Sequence, residues 1–111
     1  MLDVGTGPGV VAAEAVRRGA DVSAVDAEAG MAETAARNVP GLREVRVAVL
    51  PELPFGDDSF DAVVGNFVIN HVGEPGLALS ELRRVLRPGG RLALTCWEMP
   101  GSGALGIVRD A

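Results

Sequence analysis

The chain has 111 residues, 48% of them hydrophobic, which fits one domain with one core, and we expect residues 1–111 to form a single domain. The formal net charge is −5, and this acidic balance argues against nucleic acid as a partner, because a phosphate backbone needs a basic face. No apolar run approaches the about 20 residues that span a bilayer, and the lone Cys96 excludes an internal disulfide, so we expect no membrane partner and a cytoplasmic location.

Short helices and short apolar strands alternate along the chain. In chain order, the predicted elements are a strand at 1–4, a helix at 10–18, a strand at 21–25, a helix at 28–38, strands at 44–50 and 60–67, a helix at 75–86 and a strand at 91–96. Residues 104–111 are predicted to begin a further helix. This alternation predicts the α/β class: a doubly wound, Rossmann-like αβα sandwich with a mostly parallel sheet.

Three glycines at alternate positions, Gly5, Gly7 and Gly9, occupy the turn between the first strand and the first helix. Glycine adopts positive φ readily and has no Cβ that would keep a ligand away from the backbone. Free amides of the helix N-terminus face the same crevice, and ligands of open α/β sheets bind at the carboxyl ends of the strands. One glycine suffices for a tight turn without a ligand, so three favour a ligand-binding turn.

The spacing of these glycines indicates which ligand they suit. It is G-x-G-x-G, whereas dinucleotide-binding turns have G-x-G-x-x-G, and Pro8 removes an amide from the turn. An adenosine ligand other than a nicotinamide dinucleotide is therefore favoured. Asp26 follows the second strand, where a carboxylate accepts hydrogen bonds from ribose hydroxyls. A helix N-cap is the alternative role for Asp26, and the two are comparable until the glycine turn is considered.

Four segments occur in the order found in class I S-adenosylmethionine-dependent methyltransferases: LDVGTGPG, VSAVDAEAGM, LPFGDDSFDAVV and ELRRVLRPGGRLAL. The chain resembles this family over residues 1–96, and within it the small-molecule enzymes of the ubiquinone/menaquinone methyltransferase type. The resemblance implies S-adenosylmethionine as cofactor and in-line transfer of its methyl group to a small-molecule acceptor. The alternative is a catalytically silent remnant of the fold that acts as a binding or assembly module.

The resemblance also implies a set of cofactor-binding residues. They are Asp3, Gly5, Thr6, Gly7, Gly9, Asp26, Ala27, Met31, Leu50 and Asn66. Among them, Asp3 and the glycine loop would hold the methionine portion, and Asp26 would bind the ribose. Asn66, at the end of the fourth strand, would lie beside the methionine and the sulfonium.

The adenine end of the implied site departs from the family pattern. By resemblance, Ala27 and Met31 would flank the adenine, and Leu50 would offer its backbone amide to the ring. The preceding position usually carries an aspartate that accepts a bond from the adenine amine, but here it is Val49. We expect binding weakened by about 1 kcal/mol, unless Glu52 or a water molecule takes over this bond.

Catalytic and acceptor-side candidates follow the fourth and fifth strands. His71, the sole histidine, has a pKa range that suits a general base, although a structural role is favoured. Trp97 and Glu98 either line an acceptor pocket or stand at an exposed rim, and the sequence does not separate these roles. The aspartates of the segment GDDSFD are better explained by a turn than by a metal site, so we expect no metal.

Both ends of the chain look short beside the family. The resemblance implies a helix before the first strand and an antiparallel strand pair after the fifth, so we expect a domain truncated at both ends, with strands 1 to 5 present. The fifth strand would then be an open edge, which favours association with another copy of the chain. A fragment of a longer product is the favoured interpretation; cover by another chain or by residues 100–111 is the alternative.

Overall fold

The computed structural model describes residues 1–66, 75–95 and 105–109. The elements are β1 (Leu2–Val4), α1 (Val10–Arg17), β2 (Ser23–Asp26), α2 (Ala29–Asn38), β3 (Glu44–Val47), β4 (Phe60–Asn66), α3 (Pro75–Val85), β5 (Leu86–Thr95) and β6 (Leu105–Arg109). Within these ranges, six strands form one sheet in the order β3-β2-β1-β4-β5-β6. None of the helices described is long and apolar enough to cross a membrane.

Strands β1 to β5 are all parallel to their neighbours, as the alternation of helices and strands predicts. The chain first winds outward from β1 through β2 to β3, and then returns to the other side of β1 with β4 and β5. The doubly wound, Rossmann-like fold is therefore confirmed. Because the winding direction reverses between β1 and β4, a crevice opens at the carboxyl ends of these strands.

The carboxyl ends of the central strands are level with one another. Val4, the last residue of β1, pairs with Val25 on one side and with Gly65 on the other. Asp26, the last residue of β2, therefore lies at the height where the glycine turn follows β1. This register brings residues from separate parts of the sequence to one edge of the sheet.

The last described strand corrects two expectations. Residues 105–109 form β6 and not a helix, and β6 pairs antiparallel with residues 91–95 of β5. The tail thus covers the β5 edge over this stretch, which confirms the alternative of cover by residues 100–111. The predicted open edge, on which the expected self-association depended, is wrong there. The physical reason is that unpaired N–H and C=O groups of β5 need partners, and the sequence LGIVR can supply them as a strand.

The core lies between the sheet and its helices. On the sheet, Leu2, Val25 and Val63 are almost fully buried, and α3 places Leu82 and Val85 against them. The side chains that α2 buries are small alanines, which let this helix approach the glycine turn closely. The packing thereby fixes α3 against the sheet and α2 beside the glycine turn.

Strand β5 begins earlier than predicted, because the segment RPGG forms an irregularity within the strand. Phe60 pairs with Leu86, whereas Ala62 pairs with Arg91, so additional residues of β5 bulge out between these pairs. A Cβ at Gly90 would lie within 2.9 Å of a leucine methyl and two backbone oxygens, so this bulge requires glycine.

Candidate functional site

The glycine turn adopts the left-handed conformation at all three glycines, as their sequence predicts. The φ angles are 69° at Gly5, 55° at Gly7 and 91° at Gly9. The amides of Gly5 and Thr6 both donate to the carbonyl oxygen of Val25, at 2.9 and 3.0 Å. The turn therefore folds over the end of β2 and is held there by backbone hydrogen bonds.

Two of these glycines are required for different reasons. A Cβ at Gly9 would lie 2.9 Å from Cγ2 of Val39 and 3.5 Å from Ala35, so this position allows α2 to pack closely. A Cβ at Gly7 would meet no atom within 4 Å. Gly7 therefore borders open space in the crevice, where its backbone stays accessible.

The Asp26 carboxylate faces the glycine turn. Its Oδ2 accepts a 2.8 Å hydrogen bond from the Gly7 amide, and its Oδ1 accepts one of 2.9 Å from the Glu28 amide. The N-cap of α2 is Glu28, so the alternative N-cap role of Asp26 is not observed. An ionised carboxylate has about four acceptor sites, and Asp26 retains capacity for two hydroxyl donors.

A second carboxylate lies one strand away. Asp3 is 2% exposed, and its Oδ2 accepts a 2.8 Å hydrogen bond from the hydroxyl of Thr6. Burial raises the pKa of Asp3 from 3.8 to about 6; bonds from Thr6 and from the Ala12 backbone oppose this shift, and the charge of Asp26 adds to it. Two acidic groups thus concentrate negative charge beneath the turn, which favours a cationic ligand group.

Two cavities open beside these residues. The first, which we call the glycine-turn cavity, has a volume of about 150 Å³ and is lined by Asp3, Gly5, Thr6, Gly7, Pro8, Val10 and Val11. The second, which we call the β3 pocket, has a volume of about 460 Å³ and is lined by Val47, Ala48, Val49, Glu52, Leu53 and Pro54. The Ala48 amide donates to the Asp26 carbonyl oxygen at 3.0 Å, so the β3 pocket adjoins the residue predicted to bind the ribose.

The β3 pocket has an apolar rim and one acidic residue. Val47 and Val49 are 55% and 58% exposed, so each presents an apolar side chain to solvent at the pocket rim. Among the described residues that line this pocket, Glu52 is the one with an acidic side chain, and its amide donates to the Val49 carbonyl oxygen at 2.9 Å. The Leu50 side chain is buried in the core, so only its backbone is available for the predicted contact.

The other predicted residues divide into three groups. Ala27 is exposed directly after Asp26, and Met31 is half-buried in the first turn of α2. Their roles beside the adenine stay predictions. The backbone of Asn66 ends β4 and pairs with Thr95, and its side-chain role stays a prediction. Three candidates lie outside the described residues: His71, Trp97 and Glu98.

The acidic segment after the β3 pocket forms a turn. Asp58 has a φ of 56°, a conformation that aspartate tolerates in turns, and Oδ1 of Asp57 accepts a 2.9 Å bond from Arg84. In the part of the chain that the structure describes, no three His, Cys, Asp or Glu side chains come together as metal ligands.

Two sets of contacts at the site were missed by sequence reasoning. Nδ2 of Asn38, at the end of α2, donates to the Pro8 carbonyl oxygen at 2.9 Å and holds the turn from a distance of 30 residues. Glu81 and Arg84 of α3 bind both backbone polar atoms of Leu53. The Glu-x-x-Arg spacing is visible in the sequence, but nothing local in it indicates the loop to which the pair binds.

A doubly wound sheet with a left-handed glycine turn and a carboxylate on the neighbouring strand defines a Rossmann-like nucleoside-binding domain. Residues 2–94 match the family described as a methyltransferase domain, so the chain belongs to this family, within the class I S-adenosylmethionine-dependent methyltransferases. This confirms the family indicated by the four sequence segments.

Individual relatives agree with this assignment. The chain is 41% identical over 102 residues to a demethylmenaquinone methyltransferase of Clavibacter sepedonicus, covering 90% of this chain and 42% of that protein. It is 37% identical over 108 residues to the ubiquinone/menaquinone biosynthesis C-methyltransferase of Geotalea daltonii, covering 90% and 46%. The chain thus spans less than half the length of these relatives.

A solved structure supports the cofactor as well as the fold. The structure of CalS10 from Micromonospora echinaspora, an amino pentose methyltransferase bound to S-adenosylmethionine, superimposes with a TM-score of 0.81 at 29% identity. The match covers 89% of this chain and 43% of that one. The family and this structure together support S-adenosylmethionine as the cofactor.

Proposed function

We propose that this chain contributes the cofactor site of an enzyme that methylates a small-molecule acceptor by in-line displacement. S-adenosylmethionine supplies, when bound, an electrophilic methyl group on a sulfonium. The observation that carries the proposal is the carboxylate of Asp26, which lies against the amide of Gly7 at the border of an open crevice. A buried acid next to side-chain-free backbone suits a pair of ribose hydroxyls.

The described residues fit this cofactor at three points. The glycine-turn cavity, with the charge of Asp3 beneath it, suits the cationic methionine portion. Asp26 has acceptor capacity for the ribose. The β3 pocket adjoins Asp26 and offers the exposed side chains of Val47 and Val49 to a planar base. The three subsites follow one another along the carboxyl edge of the sheet, in the order β1, β2, β3.

The acceptor is proposed only as a small molecule. The two curated relatives are named for quinone-type acceptors and CalS10 for an amino pentose, so their names agree in the methyl transfer and differ in the acceptor. This chain's part of the reaction is then to orient the cofactor and limit access of water, because positioning supplies much of the acceleration in such a displacement. The predicted general-base role of His71 and the cytoplasmic location stay predictions.

The catalytically silent alternative finds no support in the described site. Three left-handed glycines, the Asp26 contact to Gly7 and an open crevice occur together, which supports a retained cofactor site. Because Val49 does not remove any of these features, we retain the binding proposal.

Isothermal titration with S-adenosylhomocysteine tests the proposal. The unmodified chain is expected to bind, and Asp26→Asn is expected to bind about 10- to 100-fold more weakly, since it loses charge-assisted hydrogen bonds. Asp21→Asn is the matched control: Asp21 precedes the same strand but is exposed at its amino end, where it pairs with Arg43 at 2.8 Å. The control should bind as the unmodified chain does.

Circular dichroism and thermal unfolding must accompany the titration, because Asp26 also holds the glycine turn. A folded, unmodified chain that produces no binding heat with this ligand would contradict the proposal. Equal affinities of the Asp26→Asn and Asp21→Asn variants would show that the ligand does not use Asp26.

A further inference from the structure

One wall of the β3 pocket is held by two side chains of α3. The Leu53 amide donates to Oε2 of Glu81 at 2.7 Å, and Nη2 of Arg84 donates to the Leu53 carbonyl oxygen at 3.2 Å. Both polar backbone atoms of this pocket-lining residue are therefore bound by one Glu-x-x-Arg pair. We call Glu81 and Arg84 the α3 clamp.

The α3 clamp is rigid because its two members bind each other. Arg84 donates from Nε to Oε1 of Glu81 at 2.7 Å and from Nη2 to Oε2 at 2.8 Å. This bidentate pairing fixes the orientation of the guanidinium plane relative to the carboxylate plane. The Glu81 side chain is 13% exposed. The hydrogen bond from Arg84 lowers the pKa of Glu81, so the acceptor of the Leu53 amide stays ionised near neutral pH.

The clamp also holds the segment after the pocket. Nη1 of Arg84 donates to Oδ1 of Asp57 at 2.9 Å, and the carbonyl oxygen of Arg84 accepts from the Asp58 amide at 2.9 Å. Arg84 therefore ties both Leu53 and the acidic turn to the end of α3. Such convergence of backbone and side-chain contacts on one arginine exceeds what a surface ion pair provides.

The other end of the pocket wall is hydrogen-bonded to Asp26, the residue proposed to bind the ribose. Ala48 donates its amide to the carbonyl oxygen of Asp26, whose carboxylate in turn binds Gly7. The wall between Ala48 and Leu53 thus runs from one anchor on β2 to a second anchor on α3. Between them, Val49 and Glu52 are exposed and bond to each other through their backbones.

We infer that Glu81 and Arg84 are positioning residues for the cofactor: they fix the backbone of Leu53, and through it the wall of the β3 pocket, relative to Asp26. This inference rests on the proposed function, because it assigns the β3 pocket to the adenine of the cofactor. Neither clamp residue lines the pocket, so their effect on the ligand passes through Leu53.

A charge swap separates positioning from simple ion pairing. Glu81→Arg combined with Arg84→Glu keeps an ion pair on α3 but places a donor against the Leu53 amide and an acceptor against its carbonyl. Isothermal titration should then show affinity for S-adenosylhomocysteine reduced about tenfold or more, as expected for a lost charged hydrogen bond. The measurement is made at a temperature where every variant is folded by circular dichroism.

The chain contains a matched control pair with the same spacing. Glu14 and Arg17 of α1 form two hydrogen bonds of 2.6 and 2.9 Å, and their side chains are 47% and 67% exposed. Neither lines the β3 pocket or the glycine-turn cavity. The swap Glu14→Arg with Arg17→Glu should leave the affinity within about twofold, because surface pairs contribute about 0–1 kcal/mol to stability and none of it passes through the pocket wall.

Amide hydrogen exchange supplies the readout that a general loss of stability would not reproduce. In the Glu81/Arg84 swap, exchange at Leu53 should accelerate while amides of β1 and β2 keep their protection. Glu81→Gln retains an oxygen that accepts the Leu53 amide, so its affinity should lie between those of the unmodified chain and the swap. If the swap fails to fold, the milder variants Glu81→Gln and Arg84→Lys replace it. The first keeps the side-chain size and the second keeps the positive charge. Their affinity for S-adenosylhomocysteine and their exchange at Leu53 then test the positioning role.

The outcomes distinguish this inference from the proposal beneath it. An unmodified chain that does not bind S-adenosylhomocysteine overturns the proposed function. Binding by the unmodified chain together with undiminished binding by the folded clamp variants overturns the positioning role alone. Weakened binding with unchanged exchange at Leu53 would also overturn it, because the effect would then not pass through the pocket wall.

Discussion

Gly9 and Gly19 allow the steric role of the glycine turn to be measured apart from its conformational role. Their φ angles are nearly equal, 91° and 92°, so replacement by alanine carries a similar backbone cost of about 1–2 kcal/mol at each. The surroundings differ. A Cβ at Gly19 would meet nothing within 4 Å, whereas one at Gly9 would lie 2.9 Å from Cγ2 of Val39.

The clash at Gly9 has no easy release. Val39 is 4% exposed, its χ1 is restricted by β-branching, and Ala35 lies 3.5 Å from the same Cβ position. Forcing a methyl group into such a packed contact costs about 1–3 kcal/mol. We therefore expect Gly9→Ala to lower the free energy of unfolding by about 1–3 kcal/mol more than Gly19→Ala does.

Urea unfolding followed by circular dichroism measures this difference. Both variants should unfold with the same dependence on urea as the unmodified chain, so that midpoints convert to free energies. Equal losses for the two variants would refute the reasoning, because only the φ cost would then be present. A larger loss at Gly19 would show that α2 does not pack against the turn as described.

Three further predictions concern the ligand and the buried acid. Gly7→Ala should cost no more stability than Gly19→Ala but should weaken S-adenosylhomocysteine binding at least about tenfold, since its Cβ enters the open crevice; titration showing full affinity would contradict this. Folding raises the pKa of Asp3 from 3.8 to about 6. Between about pH 4 and 6 the folded chain therefore holds a proton that the unfolded chain releases. The free energy of unfolding consequently falls as the pH rises from about 4 to 6. Asp3→Asn removes this pH dependence. Urea unfolding between about pH 4 and 6 should show the free energy of unfolding of the variant rising by on the order of 3 kcal/mol relative to that of the unmodified chain. A difference that does not change with pH would contradict the raised pKa of Asp3. Val49→Asp adds an acceptor at the rim of the β3 pocket and should tighten binding about fivefold, the effect of roughly 1 kcal/mol; unchanged affinity would place the adenine elsewhere.

The fold was predictable where local pattern and pairing agree. Strands β1 to β5 and the three helices of the described ranges follow from apolar runs separated by glycine, proline and polar residues, and their order fixes a parallel sheet. β6 was not predictable in this way. The sequence of residues 105–109 is short and begins next to glycines, and its conformation is decided by the unpaired edge of β5, which no local window contains.

The site was predictable to the extent that it depends on backbone conformation. Positive φ at the three glycines follows from the residue type, and the position of Asp26 follows from the strand it ends. The orientation of its carboxylate toward Gly7 required the register of β1 with β2. The α3 clamp could not be predicted from the sequence, because Glu81 and Leu53 are 28 residues apart and lie on different parts of the fold.

The acidic residues of this edge act mainly on the protein's own backbone and hydroxyl groups. Asp26 binds the Gly7 amide, Glu81 binds the Leu53 amide, and Asp3 binds the Thr6 hydroxyl. Each bond fixes a segment that borders a cavity, so these acids determine the shape of the site by holding its backbone, and Asp3 also lines the glycine-turn cavity. A change at a lining position such as Val49 should therefore alter affinity and leave the geometry intact, whereas loss of one of the acids should move a wall of the site.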